Sequence, residues 1–344
     1  MKRILIVKIT SLGDVVLAQP VVADLRRAYP GVVIDWATDA AFAEIPGWNP
    51  GVSRVHRAPL RQFKRLRNRA GAMAILQSVQ ALRTHRYDAV LDIHGAYKSA
   101  IVAFLARARR RYGYESKALG ERGAGFAYSH RMHRPSGIGA VEGMRASVAN
   151  TLGYTLEPTP DFGLVVPAAT AADTVPPLPP RTALFLHGAS KDEKNWPIAH
   201  WVATGQALAR QGIAVALLWN SDAEHTRALA IAAEIPQATV LPRLTLSECA
   251  RVIASAALVI GVDTGLTHLA HAFRRPSVMI FLATSRNHFG IDAPGSAISL
   301  GDRGQCPTPE AVLAAAHEVL AGTADARSLP TATPGPAAVP PQPS

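Results

Sequence analysis

Short β-branched runs alternate with longer stretches of helical spacing along nearly the whole chain, and no other feature restricts the fold so tightly. "RILIVKI" (3–9), "VVIDWAT" (32–38) and "DAVLDIHG" (88–95) read as buried strands. Apolar residues three and four apart fill 15–29 and 72–86, the spacing of amphipathic helices. The alternation resumes with "ALFLHG" (183–188), "IAVALLWN" (213–220), "ATVL" (238–241), "ALVIGV" (257–262) and "SVMIFLA" (277–283). Helical patterns over 197–211, 222–234, 245–256 and 264–273 lie between them. Strands joined through helices pair in parallel and are covered on both faces, so the expected class is α/β with two Rossmann-like domains.

The stretch "PAATAADTVPPLPPR" (167–181) holds five prolines and no apolar periodicity, which reads as a linker. It divides a domain over 1–166 from a second over 182–322. The last helical pattern (308–322) opens with a Thr cap followed by Pro and ends on Gly. The remaining 323–344 hold six prolines in 22 residues and are expected to be a disordered tail.

In doubly wound sheets ligands bind beyond the carboxyl ends of the strands, where helix N-termini point. "VIGVDTGLTHLAHA" (259–272) puts Asp263 at such an end, followed by Thr264 and Gly265 at the start of a helix and by His268 one turn on. Unpartnered amides, a close-approach glycine and a hydroxyl suit a diphosphate. "KITSLGDVVLAQP" (8–20) takes the corresponding place in the first domain, with Gly13 in the turn and Asp14 able to accept a proton from an attacking hydroxyl. "HGASKDEKNWP" (187–197) offers Ser190, Lys191 and Lys194 as phosphate ligands, and Glu224 in "LLWNSDAEH" is placed to take ribose hydroxyls. An ordinary helix cap remains an alternative for Asp14 and Asp263.

The net charge of +11 calls for an anionic partner, and two stretches of the first domain concentrate it: "RQFKRLRNR" (61–69) and "SHRMHRPSG" (129–137). Nucleic acid fits poorly, because aromatics make up 6% of the chain and the first cluster holds Phe63 alone. A dinucleotide oxidoreductase fits poorly too, since T-S-L-G-D follows the first strand in place of G-x-G-x-x-G. Two distant cysteines, Cys249 and Cys306, point to a reducing compartment. "MKRILIVKITSLGD" has too few apolar residues for a signal peptide, and no run approaches the roughly 18–20 needed to span a bilayer. A cytoplasmic protein is expected. No D-x-D pair is present, and His130 and His133 lack acidic or Cys companions, so no metal is expected.

With these motifs assembled, the chain resembles the ADP-heptose-using lipopolysaccharide heptosyltransferases, glycosyltransferase family 9. The likeness runs from residue 1 to about 320, carried by "KITSLGDV", "DWATDAAFAEIPGW" (35–48), "LDIHGAYKSA" (91–100), "FLHGASKDEKNWP" and "VDTGLTHLAHA". It is greatest to members that add the first heptose of the inner core; a member with another acceptor, such as the second heptosyltransferase, is the alternative. The resemblance implies a GT-B fold, two Rossmann-like domains facing across a cleft. It further implies inverting, metal-independent transfer of L-glycero-D-manno-heptose from ADP-heptose to Kdo of Kdo-lipid A. Asp14 then becomes the general base; Ser190, Lys194, Glu224, Asp263, Thr264, Gly265 and His268 the donor site. Thr10, Ser11, Gly13, Arg61, Lys64, Lys98 and Arg145 fall on the acceptor side. A lipid-linked acceptor and a basic first domain imply peripheral contact with the cytoplasmic face of the inner membrane. The chain departs from the family where Gly-Pro-Thr-Asp-Pro is replaced by "FLATSRNHFG" (281–290), and where Gly139 stands in place of a His.

Overall fold

The computed structural model describes residues 1–58, 69–170, 178–189 and 191–328. Strand β1 (Arg3–Val7) leads through α1 (Leu12–Leu17) and α2 (Pro20–Ala28) to β2 (Val33–Asp39). Next come α3 (Glu44–Gly47), β3 (Arg54–Ala58), α4 (Arg69–Arg83) and β4 (Tyr87–Asp92), then α5 (Tyr97–Leu105), β5 (Ala108–Tyr114), β6 (His130–Met132) and α6 (Ala140–Leu152). The six strands form one sheet in the order β3-β2-β1-β4-β5-β6, every pair parallel.

The second half repeats the winding. It runs β7 (Thr182–Leu186), α7 (Ile198–Arg210), β8 (Ala214–Leu217), α8 (Asp222–Ala232), β9 (Thr239–Val240) and α9 (Leu246–Ser255). It closes with β10 (Leu258–Val262), α10 (Gly265–Ala272), β11 (Ser277–Phe281), α11 (Arg286–Phe289), β12 (Ala297–Gly301) and α12 (Pro309–Ser328). The order β12-β11-β10-β7-β8-β9, again all parallel, is the same doubly wound arrangement. Strands β7, β10 and β11 are buried at every position, which is why their sequences are apolar without alternation.

The structure adds strands that the apolar pattern does not announce. β3 and β12 are sheet edges, and β6 is a three-residue edge within what reads as an Arg-rich loop. β5 begins with exposed Arg109 and Arg110 and buries only Tyr112–Tyr114. The expected helix over 15–29 is divided, because Pro20 lacks an N–H and opens a new helix. The final helix continues past Gly322 to Ser328, correcting the expected start of the tail at 323; no proline interrupts before Pro330. Residues 171–177 of the expected linker and 329–344 of the tail lie outside the described residues.

The domains meet through helices rather than sheets. One apolar cluster joins Leu17, Val21 and Ile45 of the first half to Val252, Ile253 and Leu269 of the second. Phe162 sets its ring edge-on to His271 of α10 at 5.4 Å. At the start of α1 and α10 the backbones nearly touch: a Cβ on Gly265 would lie 2.7 Å from the Gly13 amide nitrogen. Glycine at 265 lets the two helix N-termini converge on one point.

Arg145, expected to reach an acceptor, instead locks α6 onto α2. Its Nε and Nη2 donate to the two Asp24 carboxylate oxygens at 2.8 and 2.9 Å, and Nη2 also reaches the Glu157 carbonyl at 2.8 Å. Both residues are 3% exposed. Removing the guanidinium leaves the buried Asp24 carboxylate only the half-exposed Arg27, 3.5 Å away, so Arg145→Ala should cost about 3 kcal/mol of stability. Denaturant unfolding is the measurement; unchanged stability with a raised acceptor KM would return Arg145 to an acceptor role.

Candidate active site

Both sheets present the same feature to the cleft between them, the point where strand order reverses: β1 beside β4 in one, β7 beside β10 in the other. Ligands collect at such points because diverging loops leave a crevice there. Two cavities occupy it, of about 320 and 580 Å³, sharing Leu12, Phe42 and Thr264 in their walls.

The smaller cavity has Asp14 on its first-domain wall and Lys194, Asp263 and His268 on the other. Asp14 is the third residue of α1, and its Oδ2 accepts the Ser11 amide at 3.0 Å and the Ser11 hydroxyl at 2.9 Å. Its Oδ1 lies 3.1 Å from Lys8 Nζ. Burial works to raise the Asp14 pKa, but the Lys8 charge and the Ser11 bonds together hold it below the ordinary carboxylate value. The helix-cap role is therefore real, and Asp14 is also ionised, 39% exposed and turned toward the cavity. Thr10 is half-buried just ahead of Ser11, and Gly13 is buried beneath the His268 ring, 3.2 Å from where its Cβ would be.

Opposite stands Asp263, at the end of β10. Lys194 Nζ sits 2.7 Å from its Oδ2, the Thr284 hydroxyl donates to the same oxygen at 2.5 Å, and His268 Nε2 lies 3.5 Å from Oδ1. Burial would raise its pKa, yet the bonds from His268, Lys194 and Thr284 hold the carboxyl well below the usual range. Thr264 stands at the N-cap of α10 without a side-chain cap bond, so first-turn amides remain for a ligand. His268 is 3% exposed and its Nδ1 has no hydrogen-bond partner.

The larger cavity lies wholly along the second domain's carboxyl edge apart from Leu12, Ala41 and Phe42. Leu186, Leu218, Trp219, Leu244, Leu246 and Leu266 give it apolar walls, and Glu224 a single carboxylate. The Asn220 amide donates to one Glu224 oxygen at 2.7 Å. A Cβ on Gly188 would lie 2.7 Å from Glu224 Cδ, so glycine there admits the carboxylate to the cavity wall. An apolar slot with one carboxylate in its wall, adjoining a space that offers the Lys194 ammonium and the first amides of α10, suits a nucleoside diphosphate.

The structure thus gathers Ser11, Gly13, Asp14, Lys194, Glu224, Asp263, Thr264, Gly265 and His268 around one crevice. Lys98 is exposed at the start of α5, within electrostatic reach of His94. Arg145 is elsewhere, and Ser190, Arg61 and Lys64 lie outside the described residues. Sequence reasoning passed over Lys8, which lies within the expected strand 3–9, and Thr284, within the atypical 281–290 stretch. It also passed over His94, whose pKa is pushed down to about 4 by burial and then by the Lys8 charge. The apolar slot around Trp219 had no signal beyond its position after strand ends.

Residues 75–311 match glycosyltransferase family 9 (heptosyltransferase). Lipopolysaccharide heptosyltransferase 1 of Pseudomonas aeruginosa is 36% identical over 308 residues, covering 85% of this chain and 84% of the relative. The solved structure of E. coli heptosyltransferase WaaC with ADP superposes with a TM-score of 0.81 at 31% identity, covering 92% of this chain and 99% of that one. WaaC with ADP-2-deoxy-2-fluoro heptose gives 0.75 at 29% identity, covering 95% and 100%. Two parallel Rossmann-like sheets facing across a cleft constitute the GT-B fold, and the chain belongs to glycosyltransferase family 9, the heptosyltransferases.

Proposed function

We propose that this enzyme transfers L-glycero-D-manno-heptose from ADP-heptose to Kdo of Kdo-lipid A, with inversion, during assembly of the lipopolysaccharide inner core. It would work as a cytoplasmic protein at the inner face of the inner membrane; no helix among the described residues is long and apolar enough to cross one. The observation that carries the reading is the opposition of Asp14 to the Lys194–Asp263 pair across one cavity. The relatives' names supply the sugar and the nucleotide.

The chemistry follows from that opposition. The acceptor hydroxyl oxygen attacks the anomeric carbon from the face away from ADP, and the bond from that carbon to the diphosphate oxygen breaks. Asp14, ionised by Lys8 and Ser11, takes the hydroxyl proton. Negative charge developing on the departing diphosphate meets the first amides of α10 and the Lys194 ammonium, in a site partly closed to water. Glu224 would hold the ribose hydroxyls while the apolar slot takes the base. Ser11, Gly13 and Thr10, together with Lys98, would face the acceptor; Arg61 and Lys64, outside the described residues, are assigned to it by the resemblance alone.

The direct test is ADP release from purified enzyme with ADP-heptose, in the presence and absence of a Kdo-containing lipid A precursor. Acceptor-dependent release is expected. Donor binding without acceptor-dependent release would keep the donor site and reject Kdo as the acceptor. Asp14→Asn keeps the shape of the carboxylate but not its basicity, so kcat should fall about 10²–10⁴-fold while ADP-heptose affinity stays within a few-fold. Turnover close to wild type would remove Asp14 from the role of base.

A further inference from the structure

Outside the cleft, α5 carries an apolar stripe that stays partly exposed, with the 122–127 turn packed against its Tyr97 end. Tyr97, Ile101 and Phe104 recur at i, i+4 and i+7 and are 48%, 38% and 56% exposed. The opposite face of the same helix already packs on the sheet through Ala100, Val102 and Ala103, so the stripe is not a misread core face. Phe126, on the short 3₁₀ turn over Arg122–Ala127, is equally exposed, and its ring lies 5.9 Å from that of Phe104. Ile75, Val79 and Leu82 of α4 form an apolar groove with Ile101 and Leu105, and Met73 and Leu76 of the same helix are also exposed. Contiguous apolar exposure on this scale marks an interaction surface.

Charge indicates what it meets. Residues 1–166 hold 24 Lys and Arg against 12 Asp and Glu, whereas the remainder holds 12 against 13, so the entire surplus sits in the domain that bears the stripe. Lys98 is exposed next to Tyr97 on α5, and Arg107 and Arg109 are exposed beyond its C-terminal end. Arg131 lies against the turn that carries Phe126, near Gly125 and over the Tyr128 ring at 5.4 Å. A second copy of the chain on this face would bring like charges together. An anionic surface with an apolar interior satisfies both features at once.

We propose that the face formed by α4, α5 and the 122–127 turn docks on an anionic lipid bilayer. Phe104, Phe126 and Ile101 enter the acyl boundary, and Lys98 and Arg131 lie among the headgroups. This rests on the reading of a lipid-linked acceptor and gives it a geometry. Helix α5 starts just past the carboxyl end of β4, where His94 stands within electrostatic reach of Lys8 and Asp14. A bilayer on this face therefore presents a lipid-anchored sugar at the Asp14 wall of the cleft.

Flotation of the full chain with vesicles separates the docking surface from the reaction. Wild-type enzyme should float with phosphatidylcholine–phosphatidylglycerol vesicles and about tenfold less with phosphatidylcholine alone, the anionic binding falling at high salt. Phe104→Asp with Phe126→Asp should lose about tenfold in vesicle binding, because each carries apolar area out of the boundary. The same double variant should keep its melting temperature and its ADP release with a deacylated, water-soluble Kdo acceptor. Equal flotation of variant and wild type would overturn the proposal. So would absence of flotation, or a wild-type dimer in sedimentation that the variant breaks. A wild type that does not float yet shows acceptor-dependent ADP release rejects the surface alone; a wild type that floats without acceptor-dependent ADP release rejects the acceptor reading alone.

Discussion

A carboxylate buried at the end of β10 organises this molecule. Asp263 would be costly there if left alone, since a charge removed from water must be paired or neutralised. Lys194, Thr284 and His268 converge on it from three separate segments, and each is thereby fixed in space. With Asp263 held, the backbone turns directly into α10, whose first amides face the cavity. The convergence of Gly13 on Gly265 then brings α1, and with it Asp14, to the same point.

Two lysine–carboxylate pairs consequently face one another across the cleft, and their surroundings give them opposite tasks. Lys8 is 8% exposed and lies beneath Asp14, with its Nζ also 3.4 Å from the Ile93 carbonyl. It is placed to tune the carboxylate and not to meet a ligand. In the other pair the lysine is the more open member: Lys194 is 19% exposed and Asp263 only 9%. There the carboxylate positions the ammonium, which retains further N–H donors for a phosphate. One pair leaves an ionised carboxylate at the cavity, the other a cation, which is the division of labour that the proposed inverting transfer from a diphosphate needs.

Much of this was legible in the sequence for physical reasons. The inner strands β1, β4, β7, β10 and β11 are covered on both faces, so they stand out as unbroken apolar runs. Edge strands such as β6 answer to fewer neighbours and tolerate arginine, and they escape notice. Asp14 and Asp263 were recognisable because each stands where such a run gives way to a helix. Arg145 was assigned to the acceptor by the resemblance alone, and its ion pair was hidden because Asp24 stands 121 residues away. Thr284 was hidden for a related reason: a lone threonine in an irregular loop acquires meaning only once the fold brings it to Asp263.

The most direct test of this account is a crystal structure of the enzyme with ADP bound. The diphosphate should lie over the N-terminus of α10, within hydrogen-bonding distance of the Gly265 amide and the Lys194 ammonium, with the base between Trp219 and the neighbouring leucines. A diphosphate that contacts neither Lys194 nor the start of α10 would contradict the role assigned to Asp263 and its partners.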